Sequence, residues 1–322
     1  MANIEIEFIR NNRLLKELLL INGPPRSGKA MLCSIMSSFA RVEIERVEPI
    51  LDAIPLFYKC DKMKKDAAVT ILRREIDMKL SHSMVSRGIN FRFTDRSGVF
   101  NCANSLRYIR RLFLKDGDVV VERIKEERPI FQIMTHNMVE MIDLYFDAFE
   151  DGLRMIDMVR HPVDRVYSMY ERGDGTEIGN NPRFIQLTIK SKGGDLPWYA
   201  IGWEDEYLKD SPIDRLIKIV ERLNKKRIDK YKSLSQARKD QILLIPFEKF
   251  VISPDSYLDS IAKFIDSETT KYTKKTLKRE RVPRKLDLKE REKELNLIKE
   301  TASKECMEIL SALSEEYESL YF

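Results

Sequence analysis

The 322-residue chain has four cysteines, three histidines and two tryptophans, and it has no long hydrophobic run. Each shortage excludes something. Cys33, Cys60, Cys102 and Cys306 are widely spaced and form no CxxC pair, so neither a zinc ribbon nor a disulfide framework is written in them. Reduced thiols and no bound metal are the expectation. No apolar stretch approaches the roughly 20 residues that span a bilayer. The first residues lack the charged, apolar, small-residue order of a signal peptide. We therefore expect a soluble, cytoplasmic protein without a membrane span. Charge of one sign is also scarce in excess, since 57 basic residues face 52 acidic ones for a net +5. That balance is too mild for a nucleic-acid partner, but it leaves room for a local positive funnel toward an anionic ligand.

What is present is a core: 43% of residues are apolar, enough for one large α/β domain. Short apolar runs at 18–21, 130–133, 155–159 and 242–245 read as buried parallel strands. Helical stretches lie between most of them, at 32–39, 162–170, 213–234 and 255–264, and a last one covers 288–320. Strands alternating with helices predict a three-layer sandwich about a central parallel sheet. Residues 41–128 break the pattern and read as a mostly helical insertion within a single domain spanning 1–322. The C-terminal helix, about 287–320, carries an apolar stripe that suits docking on its own domain or on a second subunit, so the oligomeric state stays open. Residues 271–285 form a basic stretch expected as an exposed loop or short helix.

The most telling segment follows the first strand. Gly23, Gly28 and Lys29 have the spacing of a phosphate-binding turn between a strand and a helix. Such a turn aims backbone N–H groups and a helix dipole at one anion. A Walker loop requires Ser or Thr next, to hold Mg²⁺, and this chain has Ala30. A second motif lies at 155–170. Arg160 ends a strand, Pro162 opens a helix, and Ser168 stands eight residues after Arg160. Arginine at the carboxyl end of a parallel strand faces the usual ligand crevice, and its planar fork suits a phosphate. The structural alternative pairs Arg160 with Asp164 and leaves Ser168 on a helix surface.

Arg26, Ser27 and Gly28 together resemble the 5′-phosphosulfate loop of sulfotransferases that use 3′-phosphoadenosine 5′-phosphosulfate (PAPS). Lys29 and Ala30 depart from the two threonines of that loop. The segment around Arg160 and Ser168 resembles the 3′-phosphate element of the same family. Residues 242–254 and the terminal Tyr317, Leu320, Tyr321 and Phe322 are similar to its late strand and closing helix. The resemblance covers about 16–40 and 129–320. It implies a P-loop-like nucleotide-binding fold, PAPS as co-substrate and no metal requirement. It implies sulfuryl transfer to a hydroxyl acceptor, with a carbohydrate the expected class and a small molecule the other. Arg26 would stabilise the leaving phosphate, with Ser27, Gly28, Lys29, Ala30, Arg160 and Ser168 around the nucleotide. His136, 24 residues before Arg160, falls where the family has its general base; Glu122, Glu126 and Glu127 stand in reserve. Met134 replaces a frequent lysine. Arg284 and Lys285, with Arg279 and Arg281, resemble the family's late basic loop.

Trp198 and Trp203, in a segment that follows a loop rich in glycine and asparagine, are candidate acceptor contacts, as is Asp95 in the insertion. The competing reading for both tryptophans is packing of a lid onto the sheet. Two rival functions stay in view: a Mg²⁺-dependent P-loop kinase using residues 23–29 and Asp95, and a nucleotide-binding relative without catalysis.

Overall fold

The computed structural model describes residues 6–45 and 47–322. In chain order the elements are β1 (Glu17–Asn22), α1 (Lys29–Met36), α2 (Pro49–Lys59), α3 (Lys65–Met84), α4 (Ser105–Arg111), α5 (Asp118–Glu127), β2 (Ile130–Met134), α6 (Asp143–Phe149), β3 (Leu153–Val159) and α7 (Pro162–Arg172). They continue with the hairpin β4 (Thr188–Ser191) and β5 (Gly194–Pro197), then α8 (Glu204–Lys209), α9 (Pro212–Ser233), α10 (Gln236–Lys239), β6 (Ile242–Pro246), α11 (Phe247–Ile252), α12 (Pro254–Phe264), α13 (Thr273–Arg279), α14 (Leu288–Thr301) and α15 (Lys304–Tyr321).

The four strands foreseen from apolar runs form one parallel sheet in the order β2-β1-β3-β6. Strand β1 is buried on both faces. Leu18 and Leu20 pack against α2, α3 and α6, while Leu19 and Ile21 pack against α1 and α12. That double burial explains why the strand has no polar alternation. The result is a three-layer α/β sandwich. From β1 the chain runs to β2 on one side and then to β3 on the other. The two connections diverge at the carboxyl end of β1, which is where open α/β sheets bind ligands. Register brings Ile21 beside Met134 and Asn22 beside Asp157, so the residues after β1, β2 and β3 emerge at one edge.

Between α1 and β2 the chain forms α2 to α5, and this stretch is tied to the sheet by a buried acid. Glu43 accepts from Arg107 Nη2 (2.6 Å), Arg111 Nη1 (2.7 Å) and Tyr108 Oη (3.1 Å), while its own N–H bonds to Ile130 O (2.9 Å). The expected single helix over 288–320 is two helices instead. Ser303 is extended, and its hydroxyl accepts from Cys306 N (3.3 Å), which starts α15. Its N–H is held by Asp214 Oδ1 (2.9 Å) on α9. A serine N-cap with a tertiary anchor outweighs the continuous apolar period. Both helices pack on their own domain, in a core shared with α7 and α9. The basic stretch 271–285 contains α13, whose Thr273, Thr276 and Leu277 are buried. Among the described residues, no helix is long and apolar enough to cross a membrane.

Candidate active site

The turn after β1 is closed by Ser27 N–H bonding to Pro24 O (3.3 Å) and by Arg26 at a left-handed φ of 65°. Gly28 caps α1 at φ 92° and lies under Phe247, where a Cβ would meet the ring at 2.4 Å. Glycine is required there on both counts. The first N–H groups of α1 therefore open onto the carboxyl edge of the sheet. The Ser27 hydroxyl is sealed in the turn without a partner. Lys29 is buried and folds back, its Nζ donating to Gly23 O (3.0 Å) and Pro24 O (3.1 Å). Burial pushes its pKa down to about 7 against the opposing pull of Asp52.

The two motifs meet in space. Arg26 Nε donates to Ser168 Oγ (2.6 Å), and Arg160 Nη1 donates to Arg26 O (3.1 Å). The Arg160 guanidinium lies 4.8 Å from the Phe247 ring centre and that of Arg284 lies 5.3 Å from it. The alternative partner of Arg160 is largely taken. Asp164 is gripped by Arg291 at 2.7 and 3.1 Å, which leaves Arg160 Nε 3.5 Å away and without a hydrogen bond. Burial, with the charges of Arg172 and Arg160, lowers the Arg26 pKa.

A cleft of about 680 Å³ runs from this cluster across the sheet edge. Pro25, Arg26, Gly28, Lys29 and Ala30 line one part together with Arg160, Phe247 and Arg284. His136 lies in the wall just beyond β2. Its Nδ1 is 2.9 Å from Asp52 Oδ2, and its N–H bonds to Asp52 Oδ1 (3.3 Å). A carboxylate at Nδ1 fixes the proton there and leaves Nε2 as the free lone pair. The charge of Lys29 and then burial lower the His136 pKa, while Asp52 opposes both. The remaining wall is mostly apolar, including Leu56, Met141, Met169, Leu187, Trp198 and Leu223. Arg172, Asp174 and Gln186 add polarity there. Asp174 is 2% exposed, and burial raises its pKa.

Three expected positions lie elsewhere. Trp203 is 7% exposed, its Nε1 bonds to Tyr199 O (2.8 Å), and it packs on Tyr207, so it belongs to the core and not to the cleft wall. Asp95 is turned into its own loop, where Oδ1 accepts from Ser97 N and Oγ at 3.0 Å each, while its neighbour Arg96 reaches the cleft. Lys285 lines a separate surface groove with Ile252 and Leu288. Arg284, its N–H anchored to Val251 O (2.7 Å), borders both that groove and the cleft, and in the cleft it is joined by Arg279 and Arg281. Sequence reasoning passed over Asp52, Arg165 and Arg172. Asp52 has no local signal, since it lies 84 positions from the histidine it meets. Arg172 and Arg165 share α7 with Ser168 and were reachable by extending that helix face. Among the described residues, no three His, Cys, Asp or Glu side chains gather as a metal site.

The sequence profile of the sulfotransferase domain matches residues 16–307. The chain therefore belongs to the sulfotransferase family and is a sulfotransferase enzyme, and the family implies PAPS as co-substrate and a hydroxyl as acceptor. Solved structures with related topology include the sulfotransferase domain of the curacin biosynthetic pathway, with 12% identity, TM-score 0.43, and coverage of 81% of this chain and 77% of that one. A sulfotransferase from Alicyclobacillus acidocaldarius has 15% identity, TM-score 0.36, and coverage of 92% and 95%. One from Mycobacterium tuberculosis H37Rv has 11% identity, TM-score 0.41, and coverage of 89% and 76%. No curated protein sequence matches the chain.

Proposed function

We propose that this enzyme moves the sulfuryl group of PAPS to a hydroxyl on an acceptor with a largely apolar body. The observation that carries the reading is the direct joining of Arg26, Ser168 and Arg160 at the end of the glycine turn. Two anion-binding elements 142 positions apart in sequence form one cationic cluster. A nucleotide with a 5′-phosphosulfate and a separate 3′-phosphate uses both. The free N–H groups at the start of α1 take the 5′ side. Arg160 and Ser168 take the 3′-phosphate, with Arg284 beside them. Phe247, under two guanidinium groups, offers a face for the adenine.

The acceptor oxygen attacks sulfur, and the bond between sulfur and the 5′-phosphate oxygen breaks. The proton of the hydroxyl passes to His136 Nε2, and 3′-phosphoadenosine 5′-phosphate (PAP) leaves. Asp52 steadies the resulting imidazolium, and Arg26 neutralises charge on the leaving phosphate. The wall of Leu56, Met141, Met169, Leu187, Trp198 and Leu223 favours an apolar skeleton over the carbohydrate expected from sequence, because a glycan would leave many hydroxyls unpaired there. The kinase reading is disfavoured by Ala30, which has no hydroxyl for Mg²⁺, and by Asp95, which is held in its own turn. Calorimetry with PAP and ATP, with and without Mg²⁺, followed by an acceptor screen with labelled PAPS, tests the reading. PAP should bind without Mg²⁺, and hydrophobic alcohols should be sulfated ahead of sugars. Tighter, Mg²⁺-dependent ATP binding would refute it.

A further inference from the structure

The reading above leaves one buried cation of the cleft without a task. Arg165 lies in the first turn of α7, and it is 5% exposed. Its Nε and Nη2 are sealed from solvent and have no hydrogen-bond partner. The carboxylate that acts on it, Asp157, is already engaged on both oxygens, by Asn22 Nδ2 (2.7 Å) and Arg227 Nη1 (3.1 Å). The charges of Arg227 and Arg160 oppose its own. A buried guanidinium in that position is costly unless an anion completes it.

Its location says which anion. Arg165 lines the large cleft and also a water-sized cavity of about 30 Å³ behind it. The small cavity is walled by Pro24 of the phosphate turn and by Asn137, next to the candidate base. Arg165 therefore stands behind the phosphate turn, and its charge is felt at Lys29. The phosphates already have other donors, namely the turn, Arg26, Arg160 and Ser168. On the strand side of the same cleft Met134 supplies no charge. Resting on the PAPS reading, we propose that Arg165 is a catalytic residue that contacts the sulfonate oxygens of PAPS while sulfur passes between oxygens. The sulfonate keeps its negative charge throughout, so no proton or co-reactant is needed for this contact. Its effect is electrostatic stabilisation of charge on the sulfonate.

The test compares PAPS with PAP, which lacks the sulfonate, on Arg165→Met and Arg165→Lys. For Arg165→Met, PAP affinity should stay within about twofold, PAPS binding should weaken about tenfold, and kcat should fall about 100-fold. Arg165→Lys should recover part of the PAPS affinity and of the rate. The melting temperature of Arg165→Met should equal or exceed that of the wild type, because an unpaired buried charge has been removed. An unchanged PAPS-to-PAP ratio with unchanged kcat overturns the proposal. So does equal loss of both nucleotides with a lowered melting temperature, which marks a structural arginine or one completed by a buried water. A defect confined to acceptors that carry a carboxylate overturns it too, since the anion would then belong to the acceptor. Wild-type protein that binds neither nucleotide refutes the PAPS reading itself, whereas normal wild-type binding with an unaffected variant refutes only the role of Arg165.

Discussion

Binding of PAP at pH 8.5 should draw about one proton from the solvent, and Lys29 should be its destination. In the free protein the Lys29 ammonium is buried with only the Gly23 and Pro24 carbonyls for company, and its pKa falls from 10.5 to about 7. A nucleotide phosphate in the turn supplies the missing counter-charge. If it restores the ordinary value, Lys29 goes from about 3% to about 99% protonated at pH 8.5. The difference of roughly 3.5 pKa units corresponds to ~5 kcal/mol of coupling between phosphate and ammonium. PAP affinity should then fall up to about tenfold per pH unit between about pH 7 and 10.5. The choice of pH 8.5 silences the PAP phosphates and the His136 imidazole. The phosphates of PAP, with a second pKa of about 6, are already ionised. The His136 pKa is lowered from 6.5, so the imidazole is already neutral. Isothermal titration calorimetry in buffers of different ionisation enthalpy reads the proton count directly. Lys29→Met should bind PAP with uptake near zero and a flat pH dependence. An uptake below about 0.2 proton in the wild type, or the same uptake in Lys29→Met, refutes the argument that the turn lysine meets the phosphate.

Further outcomes are expected elsewhere in the molecule. Arg160→Ala should cut the preference for PAP over adenosine 5′-phosphate by about 30- to 100-fold, the size of a charged hydrogen-bonded contact of ~2–3 kcal/mol. An unchanged preference in competition binding counts against the 3′-phosphate role. His136→Ala should lower kcat by about 10²- to 10⁴-fold while leaving PAP binding intact. In the wild type kcat should drop on the acid side, below the ordinary 6.5 of histidine, because the protonated ring cannot take the acceptor's proton. Asp52→Asn removes a group that raises the His136 pKa, so it should move that acid limb further down as well as slow the reaction. A limb that stays in place excludes the pair. Glu43→Gln should cost ~3–5 kcal/mol in urea unfolding, since Arg107 and Arg111 would be left facing a neutral group. Arg107 and Arg111 hold the Glu43 pKa down against the burial that raises it. Its stabilising contribution is therefore present at neutral pH and lost as pH falls through that depressed value.

The sheet was legible because a strand buried on both faces leaves an unbroken apolar run, and Leu18 to Ile21 is one. The turn and the Arg160 to Ser168 element were legible because their geometry is local: glycines at fixed offsets, and a strand, a proline and a helix. The sequence could not show that Arg26 would bond Ser168, because that contact depends on β1 and β3 being neighbours. Asp52 was out of reach for the same reason, since α2 is brought over β2 only by packing of the insertion. The two tryptophans were indistinguishable in sequence. The short helical turn Trp198–Ala200 starts at the first of them, which lines the cleft, while Trp203 beyond it packs inward on Tyr207. The break at Ser303 was legible in principle as a serine N-cap, but the apolar period runs across it and hides it.

The same packing explains what the closing helices do for the chemistry. Glu248, fully buried, accepts from His161 N (2.9 Å) at the start of α7 and from Tyr317 Oη (2.5 Å) on α15. Arg291 on α14 stands 3.6 Å from the same carboxylate while it grips Asp164. The first turn of α7 is thus held from below by a network that α14 and α15 complete. Since Arg291 occupies Asp164, Arg160 Nε is left buried and without a hydrogen bond. Removing Arg291 would hand Asp164 to Arg160, an i,i+4 partner already 3.5 Å away. The C-terminal helices therefore do more than cover the sheet: they keep Arg160, just after β3, from pairing fully with Asp164 in the first turn of α7.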